Sequence, residues 1–437
     1  MRLLIGNSTN IDLVGEFEKA GAAWWAQRLV WFAREGDVLV LPALPEDDYV
    51  DYVTGVLGVD RDSLRLLVPP PGADGSARLT GDRLADPSFL AAVEAALAGR
   101  TVEQVFATWP DASVAALARR LGVADRLPGQ AFAGQGGGAL VNSKAVFRAV
   151  AAGAGVPIPP GAVCANPVDA EQAIWDLLAE DRSVIIKHEF YSGGVGNHIL
   201  SRREGVQPYG APRVSIMSDR TAVAKFLVAE WDRFTSAGRH RLVVEEYFPG
   251  SRAVFSELLV TDGGIQFGAD GEMFYVPIAN AQAIPAPDQP ADRMAKVTEH
   301  ARRLCEPLRA MGYRGWLSAD AIVTPGGALY FTEYNGRVTG STHLHEVLGR
   351  QVVGPDFARD RVLFERVGWR APSFREALEA VEAAGLAYDP ATRTGVLFCS
   401  AYDPDAGSVW YCAVAPDMDA IRVLEERLAS LFPQDPS

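Results

Sequence analysis

Short apolar runs alternate with amphipathic stretches through about the first 130 residues of the chain. LRLLV, which follows Ser63, and VEQVFAT, which follows Thr101, have the length and content of strands. Apolar residues recur at helical spacing in Glu16–Phe32, Ser88–Leu97 and Asp111–Leu121. Because this alternation is typical of doubly wound sheets, we predict a Rossmann-like α/β domain over residues 1–139.

After residue 140 the pattern changes to longer strands, hairpin turns and helices. Asp262-Gly263-Gly264 and Pro325-Gly326-Gly327 each separate two β-like runs, and glycine supplies the positive φ that tight hairpins need. This texture, from Ser143 to about Val353, predicts a unit of long strands, hairpins and helices.

The tail of the chain has its own pattern. It predicts a helix over Ser373–Ala384, a strand, a turn at Asp405-Ala406-Gly407, a second strand and a helix over Asp417–Leu431. We expect this α-β-β-α segment, residues 366–437, to pack on the unit that precedes it.

A glycine-rich segment, Gly134-Gln135-Gly136-Gly137-Gly138, separates the first domain from the rest. It superficially offers a dinucleotide fingerprint, but no clear strand leads into it, as a nucleotide-binding βα turn requires. We therefore interpret it as a flexible interdomain linker and do not predict NAD binding.

Composition narrows the class of protein. A chain of 437 residues is too long for one ordinary core, and a net charge of −14 argues against a general nucleic-acid binder. No apolar run approaches the roughly 18 residues of a membrane helix, and the apolar start is too short for a signal peptide. We expect a cytoplasmic enzyme without nucleic-acid or membrane partners. The four scattered cysteines form no CxxC pair, so we expect buried reduced thiols.

The strongest candidate site is GWLSADAIVTPGGALYFTEYNGR, residues 315–337. A hairpin centred on Gly326 would place Asp320 roughly opposite Glu333, and Asn335 would leave the same face as Glu333. Opposed carboxylates destabilise a sheet unless a cation lies between them, and oxygen ligands of this kind suit Mg²⁺. A solvated acidic face is the alternative, but the apolar neighbours on both strands weaken it.

Two of only five lysines stand in phosphate-binding surroundings. Lys187 ends the strand in SVIIKHEFYSGGVGNHI, before a glycine-rich loop whose N–H groups can turn toward an anion. Lys144 falls in the first turn of a helix capped by Asn142 or Ser143, where the dipole disfavours a cation unless an anion is near. A tight turn and a surface lysine are the respective alternatives.

A third segment, RLVVEEYFPGS at residues 241–251, is an apolar strand that ends in two acids and two aromatic residues. Its end could present backbone groups and Glu245 to an adenine edge, with Tyr247 and Phe248 as apolar cover. A charged strand terminus is the alternative.

These segments, in this order and spacing, resemble the ATP-grasp superfamily over about residues 140–350, roughly half of the chain. The most specific part is Asp320 followed by Glu333-Tyr334-Asn335, with Arg337 two residues beyond. Residues 1–139 are similar to the pre-ATP-grasp domain of such ligases. The resemblance implies a mixed α/β and α+β fold: a Rossmann-like domain followed by a two-lobed ATP-grasp fold, with a first lobe over residues 140–240 and a second lobe over residues 241–365.

The resemblance also implies roles for individual residues. Arg337 would steady the transferred phosphoryl group or the substrate carboxylate, and Ser251-Arg252 stand where several relatives have a ribose ligand, so ribose contact stays unassigned. The implied ATP contacts are Lys144, Lys187, Ser192, Gly193, Gly194, Gly196, Glu245, Glu246, Tyr247 and Phe248. The implied Mg²⁺ ligands are Asp320, Glu333 and Asn335.

The activity implied is activation of a carboxylate as an acyl phosphate and its coupling to an amine. The whole layout resembles ATP-grasp peptide ligases of antibiotic and other natural-product biosynthesis. That likeness implies a small amino-acid-like, nonproteinogenic acid joined to the N-terminal amine of a peptide. A dipeptide-forming ligase, a carboxylase and a non-catalytic nucleotide-binding protein remain open, as does assembly into a homodimer.

Overall fold

The N-terminal domain is built on a four-stranded parallel sheet in the order β3-β2-β1-β4. A computed structural model describes residues 1–7, 13, 22–73, 75 and 77–433. The strands are β1 Arg2–Ile5, β2 Val38–Val40, β3 Arg65–Leu67 and β4 Gln104–Ala107. Leu3 lies opposite Val38 and Val105, and all three side chains are buried, which fixes the register of the central strands.

Helices cover this sheet as the amphipathic pattern predicted. They are α1 Ala22–Ala26, continuing as a 3₁₀ helix over Gln27–Phe32, then α2 Asp47–Leu57, α3 Gly81–Leu84, α4 Pro87–Leu97 and α5 Ala112–Arg120, with 3₁₀ turns at Arg61–Ser63 and Ala124–Arg126. The predicted strands and the helices over Ser88–Leu97 and Asp111–Leu121 are confirmed. The first part of the helix expected over Glu16–Phe32 lies outside the described residues.

The glycine-rich segment is not the linker that the sequence suggested. It carries two short helices, α6 Gln130–Gly134 and α7 Gly137–Leu140. A Cβ on Gly138 would lie 2.6 Å from the carbonyl oxygen of Pro110, so that glycine permits close packing rather than flexibility. The prediction was wrong because a glycine needed for close packing cannot be told from a glycine in a flexible linker by sequence alone.

The first lobe carries a five-stranded sheet in the order β5-β9-β6-β7-β8. Its strands are β5 Gly161–Cys164, β6 Ser183–His188, β7 Asn197–Ser201, β8 Val214–Ile216 and β9 Leu242–Tyr247. Its helices are α8 Lys144–Gly153, α9 Pro167–Ala179 and α10 Arg220–Thr235. Helices α9 and α10 pack against one another and bury their apolar faces on the sheet.

The second lobe contains an eight-stranded sheet in the order β14-β13-β10-β11-β12-β15-β17-β16. Its strands are β10 Arg252–Thr261, β11 Gly264–Tyr275, β12 Ala279–Ile284, β13 Gly315–Val323, β14 Leu329–Asn335, β15 Val362–Arg370, β16 Gly395–Phe398 and β17 Ser408–Ala415. Its helices are α11 Ala291–Ala310, α12 Gly340–Thr342, which continues as a π-helix over His343–Val353, α13 Phe374–Ala383 and α14 Met418–Ala429, with a 3₁₀ turn at Phe357–Arg359.

The C-terminal segment completes this large sheet. Strand β17 pairs with β15 on one side and with β16 on the other, so the tail continues the sheet of the second lobe. The expected boundary between residues 365 and 366 falls inside β15. Both predicted glycine hairpins and the α-β-β-α order of the tail are confirmed.

Two further facts bear on the class of protein. The four cysteines are free and buried. Among the residues that the structure describes, no helix has the length and apolar content that crossing a bilayer would need.

Candidate active site

The two acids of the β13–β14 hairpin face each other. Asp320 pairs in register with Glu333, and a bulge follows immediately between Asp320 and Ala321. Ser318 donates a hydrogen bond of 2.9 Å to one oxygen of Asp320, and the amide nitrogen of Asn335 donates one of 3.1 Å to the other. The predicted opposition of the two carboxylates is therefore confirmed.

The two acids have opposite shifts in pKa. Burial, and then the charge of Glu333, raises the pKa of Asp320 well above its usual range. Burial works against ionisation of Glu333 as well, but the charges of Lys144 and Lys187 lower the pKa of Glu333 overall. Without a cation between them, the pair therefore favours one protonated and one ionised carboxyl group, and a divalent ion would favour the loss of that proton.

Arg337 lies directly beyond the hairpin. Its guanidinium donates a hydrogen bond of 3.0 Å to the amide oxygen of Asn335 and lies 5.0 Å from the centre of the Trp109 ring. Asn335 thus links Arg337 to Asp320, because its amide oxygen accepts a hydrogen bond from Arg337 and its amide nitrogen donates one to Asp320. To act as a metal ligand, Asn335 would have to turn its amide oxygen toward the carboxylates.

Lys144 enters the site from the first turn of α8. Ser143 caps that helix by accepting a hydrogen bond of 3.0 Å from the backbone of Val146, as predicted. The ammonium of Lys144 lies 2.6 Å from Glu333 and also donates to the carbonyl oxygen of Tyr191. Glu333 therefore supplies the anion that the unfavourable dipole position of this lysine requires.

Lys187 is held by a buried carboxylate. Ile185 pairs with Glu245 in the β6–β9 register, so Lys187, two residues on, leaves the same face of the sheet. Its ammonium lies 2.6 Å from Glu245, and Arg148 contacts the other oxygen of Glu245 at 2.7 Å. Glu245 is only 1% exposed, so its side chain is engaged by two cations rather than open to a ligand.

The glycine loop between β6 and β7 bends through left-handed backbone. Gly193 and Gly194 have φ of 63° and 84°, and a Cβ on Gly194 would lie 2.7 Å from the carbonyl oxygen of Gly210. The backbone of Ala279, in the second lobe, donates a hydrogen bond of 3.0 Å to Gly193. The loop of the first lobe therefore already touches the second lobe above the cleft.

A cleft between the lobes brings most of the predicted residues together. Apolar groups from both lobes form its inner part, and Phe248 stacks on Tyr330 with ring centres 5.0 Å apart. The predicted residues that line this cleft are Lys144, Lys187, Gly194, Glu245, Glu246, Tyr247, Phe248, Asp320 and Glu333. Gly196 lies at the start of β7, where its carbonyl accepts a hydrogen bond from His188.

A second, larger cavity opens on the other side of the two acids and has a volume of about 470 Å³. Asp320 and Glu333 line both the cleft and this cavity, so the acid pair lies where the cleft meets the cavity. The remaining predicted residues, Ser192, Gly193, Asn335 and Arg337, line the larger cavity.

Sequence reasoning missed several residues of the site. Arg148 stands one helical turn after Lys144, and this i,i+4 pair of basic residues was a usable signal. Trp24 and Trp25 are adjacent in sequence, but nothing in the sequence places them beside Trp410 in the larger cavity.

Comparisons with known proteins identify two segments of the chain and its fold. The family model described as Pre ATP-grasp domain matches residues 26–123, and that described as PGM1 C-terminal domain matches residues 376–428. No curated protein matches the chain.

Three solved structures show the same fold over almost the whole chain. N5-carboxyaminoimidazole ribonucleotide synthetase from Thermus thermophilus is 17% identical, with 100% of both chains covered and a TM-score of 0.58. Biotin carboxylase from Campylobacter jejuni is 13% identical, covering 98% of this chain and 91% of that one, with a TM-score of 0.58. The biotin carboxylase domain of 2-oxoglutarate carboxylase from Hydrogenobacter thermophilus is 14% identical, covering 97% and 89%, with a TM-score of 0.59.

The chain has an ATP-grasp fold preceded by a pre-ATP-grasp domain. The predicted fold class is thereby confirmed.

Proposed function

We propose that this protein is an ATP- and Mg²⁺-dependent ligase that joins a carboxylate to an amine through an acyl phosphate. The observation that carries the proposal is the convergence of Lys144, Asp320, Glu333 and Arg337 where the narrow cleft meets the larger cavity. A nucleotide in the cleft would direct its terminal phosphate to that junction, and an acid in the cavity would meet it there.

The similar structures support this use of the fold. Biotin carboxylase from Campylobacter jejuni was solved as a β,γ-ATP complex, and the Hydrogenobacter thermophilus domain with MgADP, ADP and bicarbonate. Those ligands belong to those proteins, and at such low identity they support a nucleotide site here without assigning its residues.

The residues present fit a magnesium ion. Among the described side chains, no three of the His, Cys, Asp and Glu type group around one point as metal ligands. Asp320 and Glu333 nevertheless suit Mg²⁺, which is commonly held by one or two carboxylates and completed by water and phosphate oxygens. When bound, the ion would neutralise charge on the phosphates and on the two facing acids.

The positions of the side chains suggest a division of work in the first step. An oxygen of the substrate carboxylate attacks the γ-phosphorus, and the bond from that phosphorus to the bridging oxygen breaks, so that ADP leaves with the bonding electrons. Lys187 would hold phosphate oxygens, and the fixed guanidinium of Arg337 would hold the acid or the transferring group. Asn335 would keep Arg337 in position through the hydrogen bond described above.

The second step forms the amide. The amine nitrogen attacks the carbonyl carbon of the acyl phosphate, phosphate departs with the electrons of the broken C–O bond, and the nitrogen loses a proton. The loop over residues 189–196 touches the second lobe through Gly193, so it can exclude water from the activated acid.

For the substrates, we propose an amino-acid-like, nonproteinogenic acid and the N-terminal amine of a peptide. The support is the likeness of the whole layout to the peptide ligase of pheganomycin biosynthesis. The C-terminal segment also matches a family model of its own, over residues 376–428. Such a reaction belongs to the biosynthesis of a natural-product peptide.

The names of the similar structures favour one rival, carboxylation. Two of them are biotin carboxylases and one makes a carboxyamino product. A carboxylase needs bicarbonate as its acid, whereas a peptide ligase consumes ATP with a larger acid and an amine. Dependence of ADP release on bicarbonate alone would favour the rival.

The test is ADP release by the purified protein with MgATP, an acid pool and a peptide pool, each also omitted in turn. We expect release to require acid and to rise with peptide, and mass spectrometry to show a condensed product with the mass of one water lost. Nucleotide binding without ADP release under any mixture would instead identify a non-catalytic nucleotide-binding protein. Products formed from two free amino acids but not from peptides would identify a dipeptide-forming ligase.

A further inference from the structure

Four tryptophans line the larger cavity. Trp109 supports Arg337, whereas the other three form a separate group that we call the tryptophan wall: Trp24, Trp25 and Trp410. The ring of Trp410 lies 5.4 Å from that of Trp24 and 4.5 Å from that of Trp25, and all three are only half-buried. The wall therefore presents aromatic surface to whatever enters the cavity.

Arg28 holds the wall from outside the cavity. Its guanidinium carbon lies 4.2 Å from the ring centre of Trp25 and 5.2 Å from that of Trp410. Its Nε donates a hydrogen bond of 2.8 Å to the carbonyl of Cys399, and it forms a buried ion pair with Glu365. The 3₁₀ helix over Gln27–Phe32 and the C-terminal strands are thus fixed to each other behind the rings.

The acid beside the wall is already satisfied. Glu365 lines the cavity but is 3% exposed, and one of its oxygens is paired with Arg28. The other accepts a hydrogen bond of 2.5 Å from Gln282. A cationic ligand would therefore find no unpaired carboxylate on Glu365.

This arrangement disfavours a cation for a second reason. An aromatic face attracts cations because the ring quadrupole makes the face negative. Here Arg28 already lies against Trp25 and Trp410, so the attraction of these rings for a cation is partly satisfied within the protein. Neutral aromatic rings keep their dispersion and edge-to-face contacts in such surroundings.

We propose that the acid activated by this protein carries a neutral aromatic side chain, which packs on the tryptophan wall while its carboxylate meets Arg337. The inference rests on the proposed ligase function and names its acid. The acid rather than the amine is assigned to the wall because one continuous cavity joins the three rings to Asp320, Glu333 and Arg337. The volume of about 470 Å³ lies in the usual range for small-molecule sites.

The experiment compares three sets of amino acids as the acid, with one peptide as the amine: neutral aromatic, branched aliphatic and cationic. The value of kcat/KM for ADP release and the mass of the product are measured for each. We expect neutral aromatic acids to exceed both other sets by at least about tenfold, from ring packing at the wall. Equal or better use of aliphatic or cationic acids would overturn the inference and leave the ligase function standing.

Variants locate the effect on the wall. Trp410→Ala should lower kcat/KM for aromatic acids by about tenfold or more relative to kcat/KM for aliphatic acids, whereas Trp410→Phe should keep most of the preference. Trp175→Ala, in the first lobe against Arg202, is the matched control for loss of an indole. An unchanged preference in folded Trp410→Ala would contradict the inference.

Direct binding separates this inference from the proposed function. Quenching of tryptophan fluorescence by phenylalanine, tyrosine and leucine is measured in wild type and in Trp410→Phe, with a non-hydrolysable ATP analogue and Mg²⁺ present. Saturable binding of phenylalanine and tyrosine, but not of leucine, supports the role of the tryptophan wall even if no ADP forms. In that case the proposed ligase function fails and the aromatic subsite stands. If Trp410→Ala does not fold, Trp24→Ala takes its place.

Discussion

Lys144 and Glu333 form an ion pair across the site, with the ammonium 2.6 Å from the carboxylate, although the two residues are 189 positions apart in the sequence. Packing below the pair fixes this geometry. Phe147 of α8 meets Tyr334 of β14 edge to face, with ring centres 5.3 Å apart, and both rings are buried. The helix that carries the lysine is therefore part of the same core as the hairpin that carries the acid.

Glu333→Gln should abolish most ADP release while keeping the fold. The substitution removes a proposed magnesium ligand, so we expect a loss of about a hundredfold or more, as for removal of one strong electrostatic contact in other active sites. Stability should change little, because Lys144 loses its partner but Asp320 loses a repelling neighbour.

The control for this prediction is Glu299→Gln, an exposed acid of α11 that pairs only with Arg303. ADP release and melting temperature are measured for both variants. Full acid-dependent ADP release by Glu333→Gln would contradict the metal assignment.

Lys187→Met should raise the KM for ATP at least about tenfold, because the substitution removes a charged contact to phosphate. The fold should survive, since Glu245 keeps Arg148 as a partner. Lys225→Met, an exposed lysine of α10, is the control. Unchanged kinetics in Lys187→Met would show that this lysine holds Glu245 and does not touch the nucleotide.

Arg148→Met should lower stability more than activity, in contrast to Lys187→Met. Arg148 is buried and contacts Glu245 and the carbonyl of Pro159 rather than lining the cleft. Its loss leaves Lys187 as the sole cation on a buried carboxylate, so we expect a stability loss of up to about 3 kcal/mol by chemical denaturation. Activity of the remaining folded protein should fall less than in Lys187→Met. A stable but inactive Arg148→Met would contradict this division of roles.

Gly194→Ala should impair the loop over the cleft. Gly194 and Gly205 have nearly equal positive φ, 84° and 80°. A Cβ on Gly194 would meet the carbonyl of Gly210, whereas a Cβ on Gly205 would have no atom within 4 Å. Each substitution pays the left-handed backbone penalty of about 1 kcal/mol. Only Gly194→Ala should also raise the KM for ATP, and equal kinetics in the two variants would refute a role for close packing of this loop.

His188 should make the protein less stable as the pH falls. Burial, and then the nearby charges of His240, Lys144 and Arg239, lowers the pKa of His188 to about 3 in the folded protein. Below the usual pKa of about 6.5 the unfolded chain binds a proton that the folded chain does not, so stability falls by up to about 1.4 kcal/mol per pH unit from this residue.

The measurement is urea unfolding of wild type and His188→Gln between pH 7.5 and 4.5. The neutral variant lacks this titration, so the unfolding free energy of wild type should fall more steeply with decreasing pH than that of His188→Gln. Parallel curves over this range would contradict the assignment.

Local patterns explain why much of the site could be predicted. Counting outward from Gly326 placed Asp320 opposite Glu333, because a hairpin fixes the register of residues close in sequence. That count is one residue out, because the pairs nearer the turn, such as Ala321 with Phe331, would continue to Asp320 opposite Thr332. The bulge after Asp320, which the count does not show, shifts the register by one residue and brings Glu333 opposite Asp320.

Long-range partners could not be predicted in the same way. The sequence suggested that Glu245 faces a nucleotide, whereas its carboxylate is buried between Lys187 and Arg148. The tryptophan wall joins Trp24 to Trp410, from opposite ends of the chain. Such contacts depend on how separate elements pack, and periodicity along one segment carries no information about that.

The position of β17 near the end of the chain has a consequence for biosynthesis. During translation the acid pair and the two lysines are made before Trp410, while the last strands of the second lobe's sheet are still missing. A chain that stopped before β16 would keep the acid pair and the two lysines but lack Trp410, one ring of the tryptophan wall. It would also leave β15 as an unpaired edge, open to association with other chains. Premature termination is therefore expected to yield an unselective, aggregation-prone product rather than a smaller working enzyme.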